Sequence, residues 1–434
     1  MSKETMSSLS KANEESKVSP YRWLVWGVLV VVYLTVFFHR LSTGVIVGNL
    51  TKDLGMSATQ IANLSSCYFY SYAIMQIPTG ILVDYLGPKK TVILGSVVAA
   101  LGSIMFSFSN VVMMAYFSRL LVGLGVSVVF LSILKIQANW FPANKFATMN
   151  GATSFIGSMG GILAQAPLIA LIGVVGWRGS FRIMGVVSIV LAILVIIFIK
   201  NSPKEMGLPE VNPIPAKAEG KQLGIMAQLV EILKNPRIWG PAIAFGGVNG
   251  GFLLYTGTFG VPFLMAQYGM TKTTAANIIS FALIASGIGC LFIGKISDML
   301  KNRKIPMIVM TVVSTLVWVT FVFMKAPVGL VVVASCLVGL SGSVGVVCWA
   351  VGKEVCNPRV SGMSTSVVNV CGFVFAAIIP VVCGRFVDAN MATGMGAGAA
   401  YQKAFIIPLI SSVLALVFAI LSKETKGESI YKEK

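Results

Sequence analysis

Three cations sit inside strongly apolar stretches of this 434-residue chain: Arg40, Arg119 and Lys135. The spans of the amino-terminal half hold no carboxylate besides Asp84, which lies at a turn. A cation inside a membrane costs at least about 2.5–3.5 kcal/mol on insertion scales unless something compensates it. An anionic ligand, or the carboxylate of a zwitterion, is one such compensation. Arg40 follows Phe37, Phe38 and His39, and it lies roughly 28 Å along a helix from Tyr21. Two readings are open there: an arginine snorkelling outward, or an inward-facing anion ligand. Lys135 precedes Trp140 by five residues, about 7 Å, so it either reaches the interface or lines a cavity. His39 is the only histidine, and free histidine titrates near pH 6.5. Beside Arg40 it either takes up a proton cooperatively with an anion, which is the linkage a symporter requires, or donates one hydrogen bond across helices.

Other polar groups share these apolar stretches. Tyr68, Tyr72, Gln76 and Gly80 recur every four residues and so line one helical face. A polar-tipped stripe within lipid points to a cavity or a partner helix. Asn249, Tyr255, Thr256 and Thr258 lie among glycines 246, 247, 250, 251, 257 and 260 and before Pro262. That composition predicts a helix able to bend and to touch a substrate. Asn249, Tyr255 and Trp349 are therefore counted with the lining residues. Glu354 follows Trp349 closely and is a candidate proton site, although a cluster with Lys353 and Arg359 at the span's end fits it better. Arg385 and Asp388 read as a pair at an opposite end.

Several chemistries find no support. The stretch Gly289 to Lys295 mimics a phosphate loop, but Ile296 stands where Ser or Thr is required and no strand precedes it. No Ser/His/Asp set is plausible around the sole histidine, His39, which lies in an apolar run. The seven cysteines show no Cys-x-x-Cys spacing, so neither a disulfide framework nor a metal site is expected. No cofactor and no enzyme activity are expected. The net charge of +18 is spread over many short loops, which marks topology rather than nucleic-acid binding.

The elements that position these residues follow from composition. With 56% apolar and 11% charged residues, the chain is a membrane protein. At about 20 residues per span, the apolar runs accommodate twelve helices, near 21–48, 58–82, 91–110, 112–138, 148–173, 180–199, 238–264, 273–297, 305–324, 328–352, 362–386 and 402–422. This divides the chain into a tail (1–20), a six-helix bundle (21–199), a linker (200–237), a second bundle (238–422) and a tail (423–434). The linker holds Pro203, Pro209, Pro213 and Pro215 with six basic residues. Counting span ends with the adjoining loop, the side bearing both tails carries 23 of the 33 Lys and Arg, the other side seven. The positive-inside rule puts both termini and the linker in the cytoplasm. The first apolar run is too long for a signal-peptide core and is expected to be retained.

Residues 80–90 read Gly-Ile-Leu-Val-Asp-Tyr-Leu-Gly-Pro-Lys-Lys, a charged turn between spans two and three for which Gly80 and Gly87 allow close approach. A weaker copy begins at Gly294 and places Asp298 214 residues after Asp84. A turn repeated at half the chain length predicts an internal duplication. The first copy resembles the loop motif between the second and third helices of the major facilitator superfamily, with Tyr85 at a position often basic there. Arg119, Gly123 and Gly125 resemble that family's Arg-x-x-x-Gly-x-Gly element. Phe37 to Arg40 is similar to the aromatic-x-Asp-Arg element of the family's anion:cation symporter branch, with His39 in place of the aspartate. The resemblance implies an all-α fold of twelve transmembrane helices in two pseudo-symmetric six-helix bundles.

It also implies a secondary active transporter working by alternating access in a bacterial cytoplasmic membrane. The expected partners are a small anionic organic solute, protons and lipid, with the protein a monomer. Arg40, Tyr68, Tyr72, Gln76, Lys135, Asn249, Tyr255 and Trp349 are the expected substrate contacts, and His39 and Glu354 the coupling candidates. Gly80, Asp84, Gly87, Lys89, Lys90, Arg119 and Asp298 are assigned to gating. Alternatives are a zwitterionic amino acid or peptide as substrate, an uncoupled facilitator or exporter, and, less well supported, a channel or a membrane-embedded enzyme.

Overall fold

The computed structural model describes residues 3–142, 145–211, 225–357 and 361–431. Among them the chain is helical and has no strand. Counting broken helices as one, twelve passes follow in order. The first half comprises α1 (Lys3–Leu41 and Thr43–Leu54), α2 (Ala58–Leu86), α3 (Pro88–Ser107), α4 (Val112–Ser127 and Val129–Trp140), α5 and α6. The pass α5 begins as Phe146–Leu163. It ends in the run Ala166–Phe198, whose portion beyond the bend at Gly176 (φ 72°) is α6. The second half comprises α7 (Trp239–Leu254, a π turn Tyr255–Phe259, and Gly260–Tyr268), α8 (Lys272–Met299), α9 (Lys304–Phe323), α10 (Val328–Gly342 and Val344–Glu354), α11 (Ser361–Ala392) and α12 (Ala397–Ala404 and Ile406–Leu421).

Nine of the described helices are long and apolar enough to cross a membrane on length and composition alone. The three remaining passes have evident reasons to fall short. The pass α2 carries the tyrosine and serine stripe, α5 is interrupted after 18 residues, and α7 is broken by its π turn. The linker is more structured than its prolines suggest. It holds a 3-10 turn Pro203–Met206 and an amphipathic helix Ile225–Leu233 against α11. Pro213 and Pro215 lie outside the described residues.

The charged turn is tighter than expected. Helix α2 continues through Asp84 to Leu86, and Gly87 alone links it to α3 at φ 79°, a backbone region open to glycine. Pro88 then occupies the first helical position, where its missing N–H is harmless. Gly80 is not in the turn. It lies within α2, and a Cβ there would meet only Leu131, at 3.9 Å. At the corresponding place in the second half, Lys301 adopts φ 46°.

Passes α1–α6 and α7–α12 form the two halves. They meet where α2 packs on α11, α5 on α8, and α1 on α7. The α1 break at Ser42 and the π turn of α7 come together at this seam. A Cβ on Gly44 would lie 3.3 Å from the Gly257 carbonyl, so backbone approaches backbone there.

Candidate functional site

The seam between the halves carries an aromatic enclosure around one cation. The Arg40 guanidinium carbon lies 4.8 Å from the Phe37 ring centre, 5.1 Å from Tyr72 and 5.3 Å from Phe373. These rings come from α1, α2 and α11, so Arg40 faces the opposite half. Tyr68 is a hydrogen-bonding neighbour of the guanidinium, and its hydroxyl also donates to the Val36 carbonyl at 3.2 Å. Tyr72 packs on Phe373 at 4.4 Å. Tyr33 stacks on Phe130 and meets Phe37 edge-on, each at 5.3 Å. The Arg40 Nε–H is enclosed and has no hydrogen-bond partner.

Below this enclosure Gln76 and Asn369 join the halves, the asparagine Nδ2 donating to Gln76 Oε1 at 3.1 Å. Asn249 instead donates to the Gly372 carbonyl at 3.1 Å, within the second half. The structure therefore brings Arg40, Tyr68, Tyr72 and Gln76 together. Phe373 and Asn369 were not singled out from sequence as contacts. The available signal was periodic: Asn369, Phe373 and Ala377 recur every four residues on α11 and face the matching stripe of α2, where Ser66 donates to the Ala377 carbonyl.

Other expected contacts lie elsewhere. Tyr255 is enclosed in the second half, sharing a 2.6 Å hydrogen bond with Ser335 and stacking on Phe321 at 5.3 Å. Its place in the π turn of α7 aims it away from the seam. Lys135 is 2.9 Å from Asp84 in an exposed ion pair at the end bearing the termini, the side chains being 48% and 71% exposed. Trp349 meets Phe245 edge-on at 5.5 Å, and its Nε1–H is enclosed without a partner.

His39 points the other way from Arg40, as the roughly 100° step between helical neighbours allows. It is buried in the first half, and both ring nitrogens lack hydrogen-bond partners. Arg119 is buried beside it. Its Nη1 donates to the His39 carbonyl at 3.1 Å, and its Nη2 to Ser42 Oγ at 3.5 Å and to Thr43 Oγ1. The rings of Phe106 and Phe181 flank it at 5.2 and 5.6 Å. Arg119 thus satisfies the α1 break rather than touching the charged turn.

The end bearing the termini holds two polar clusters, each within one half. In the first, Lys89 donates its backbone N–H to Asn201 and its ammonium to the Ile196 carbonyl, while Lys90 is exposed. In the second, Arg303 bridges Asp298 at 2.5 Å and Glu354 at 3.0 Å. Glu354 also accepts from Thr425. Its cationic partner is therefore Arg303 and not Lys353, and Arg359 lies outside the described residues. Glu424 accepts the first two amides of this region, from Arg303 and Lys304, at 2.9 and 2.8 Å. Burial works against its charged form, but these N–H groups hold the carboxyl below the usual range.

Hydrogen bonds across the seam lie at mid-depth and at the opposite end. Asp388 accepts the amides of Ala58 and Thr59 at the start of α2, at 2.9 and 2.8 Å, rather than pairing with Arg385. Lys272 reaches Asn49 at 3.3 Å, and Thr258 reaches Ser65 at 3.3 Å. At that end Asp53 also binds the first half's loops together through Trp177 and Arg178, whose hydrogen bonds hold its carboxyl below the usual range. Among the described residues, no cross-half hydrogen bond lies at the end bearing the termini.

The family model of the Major Facilitator Superfamily matches residues 28–380. The probable sulfoacetate transporter SauU of Cupriavidus necator is 26% identical over 182 residues, a match spanning 42% of each chain. The probable L-galactonate transporter of Escherichia coli is 26% identical over 79% of this chain and 78% of its own. The probable galactarate/D-glucarate transporter GudP of Bacillus subtilis is 24% identical over 96% and 95%. Among solved structures, a bacterial homologue of the human lysosomal transporter Spinster has a TM-score of 0.77 at 16% identity, covering 93% of this chain and 97% of that one. A D-xylose-proton symporter has a TM-score of 0.73 at 14% identity, covering 94% and 100%. Twelve passes in two halves, a duplicated charged turn and a family match over most of its length agree: the chain belongs to the major facilitator superfamily.

Proposed function

We propose that this chain is a secondary active transporter carrying a small anionic organic solute across a bacterial cytoplasmic membrane, with Arg40 as the anion's ligand. The observation that carries the reading is a guanidinium held between the two halves by aromatic rings, with no carboxylate among its described neighbours. A buried cation without a counter-ion is costly, and an arriving anion offsets that cost. The names of the relatives support the same class, since sulfoacetate, L-galactonate and galactarate are all anions.

Alternating access follows from the two halves, 21–199 and 238–422, hinged through the linker 200–237. With both termini in the cytoplasm, the present arrangement is the inward-open state, sealed at the outer end by Asp388, Lys272 and the Gly44–Gly257 approach. Asp84, Lys89 and Lys90 around Gly87, and Asp298 in the second copy, are the groups available to close the cytoplasmic end. Among the described residues, the bonds of Asp84, Lys89 and Asp298 lie within their own halves. Protons are the proposed coupling ion, and the protein acts as a monomer.

The test is direct binding to purified protein, with sulfoacetate, L-galactonate and galactarate as probes. Arg40→Gln should abolish binding of whichever anion the wild type takes. Arg40→Lys should retain part of it, because it keeps the charge and loses the bidentate fork. Unchanged affinity in a folded Arg40→Gln protein removes Arg40 from the site.

A further inference from the structure

We infer that the linker helix Ile225–Leu233 and α11 form a site for one anionic phospholipid. An acyl chain lies in the groove between them, and the headgroup meets Lys234 and Arg237. A cavity of about 340 Å³ occupies this place, at the end bearing the termini. Leu229 and Leu233 of the linker helix, Trp239 of α7, and Val367, Val370 and Val374 of α11 line it. That volume falls within the ordinary range for ligand sites. The Ser366 hydroxyl and the Trp239 indole N–H in its wall donate to the Gly362 and Leu233 carbonyls, at 3.2 and 3.3 Å. Walls of hydrocarbon and indole favour an apolar occupant.

The groove is open rather than closed over by its own walls. Leu233, Trp239 and Val374 are 40%, 38% and 38% exposed, and Ile378, one turn along α11, is exposed as well. The linker helix adds an apolar face of its own. Met226, Val230 and Leu233 stand at i, i+4 and i+7, so they share one side, and all three are exposed. Such a helix rests in the boundary between headgroups and acyl chains. Its acid turns toward the protein instead, where Glu231 accepts from Asn357 and Tyr431 at 3.3 and 3.4 Å.

Charge selects among lipids. Lys234 and Arg237 belong to the short connection between Leu233 and Trp239, two walls of the groove, so both cations stand at its rim. Both are exposed, and neither joins an ion pair among the described residues. Arg237 Nη1 reaches the Ile430 carbonyl at 3.5 Å. Cations so placed at a membrane surface attract anionic headgroups, and a guanidinium suits a phosphate geometrically. The orientation proposed above assigns the lipid to the cytoplasmic leaflet, whereas the site itself does not depend on that orientation.

Trp239 reports the occupant directly. Purified full-length protein is placed in phosphatidylcholine nanodiscs containing increasing fractions of phosphatidylglycerol, with bromines on the acyl chains of one lipid or the other. Quenching at Trp239 is the difference between wild type and Trp239→Phe. Phosphatidylglycerol should be preferred there at least about fivefold over phosphatidylcholine. The preference should fall to within about twofold at high salt, which screens exposed charges, and likewise in Lys234→Gln/Arg237→Gln. Val370→Phe, which fills the groove, should also remove it. Lys234 and Arg237 are exposed, so their replacement tests the headgroup contact independently of whether the filled groove folds. Equal quenching by the two lipids overturns the inference, because the groove then takes any chain. A preference that survives Lys234→Gln/Arg237→Gln overturns it too, as does one that survives in folded Val370→Phe protein.

Discussion

Neighbouring residues in one helix can serve unrelated surroundings, as His39 and Arg40 show. Arg40 reaches the seam, where its charge meets the rings of both halves. His39 turns into the first half, where Arg119 of α4 is its charged neighbour and Cys67 of α2 lies close to that arginine. Its two enclosed, unpartnered nitrogens are a departure from the usual satisfaction of buried polar groups. A proton arriving there would place a second positive charge beside Arg119, which an anion in the transport path would favour. The coupling proposal therefore predicts that His39→Gln, in proteoliposomes, keeps Arg40-dependent exchange of solute but loses accumulation driven by a pH gradient. Undiminished accumulation in the mutant would take His39 out of the coupling. Sequence adjacency left open whether the two residues share a site. Only the direction in which each leaves the helix separated them.

At the scale of the element, α1 is the informative helix. It breaks at Ser42, and the carbonyl of His39 and the hydroxyls of Ser42 and Thr43 all turn to Arg119. The π turn of α7 lies half a chain later and packs against this break. Helix irregularities inside a membrane persist where other groups satisfy the freed backbone. Hydrogen bonds to a charged group contribute about 1.5–3 kcal/mol each. Arg119→Met should therefore lower the thermal midpoint of the detergent-purified protein, and Arg119→Lys should recover part of the loss. An unchanged midpoint for Arg119→Met would refute a structural role at the break. The Arg-x-x-x-Gly-x-Gly pattern located this residue correctly on its helix, but not the fact that its partners belong to α1.

Across the whole molecule, the two halves are held at one end and mid-depth. The Asp388 carboxylate grips the first amides of α2, combining hydrogen bonding with the favourable field of a helix N-terminus. That contact must break for the end opposite the termini to open. Asp388→Ala should shift the equilibrium away from the present state by about tenfold or more, since about 1.4 kcal/mol is tenfold and charged hydrogen bonds contribute at least that. Asp388→Asn should fall between, because it keeps one acceptor oxygen. Spin labels at Tyr85 and Met299, 86% and 76% exposed at the end bearing the termini, report the shift as a shorter separation. The measurement is made in a background lacking the seven native cysteines. A separation identical to wild type would show that Asp388 does not hold the end opposite the termini.

The membrane class, the twelve passes, the duplication and the turn at Gly87 were legible in the sequence, because each depends on local composition, helical period or repeated spacing. The stripe of Tyr68, Tyr72 and Gln76 belongs with them: a four-residue recurrence on one helix needs no partner to be seen. What covers that stripe did not follow. Arg40 lies against Phe373 and Gln76 against Asn369, residues separated by about 300 positions, and only packing of the two halves joins them. Lys135, Arg119 and Arg40 look alike in sequence, as cations in apolar runs. Tertiary structure gave them three fates: an exposed pair with Asp84, a buried clasp on α1, and an uncompensated charge at the seam. The physical reason is that the cost of a buried charge depends on its neighbours, and here those neighbours come from other helices.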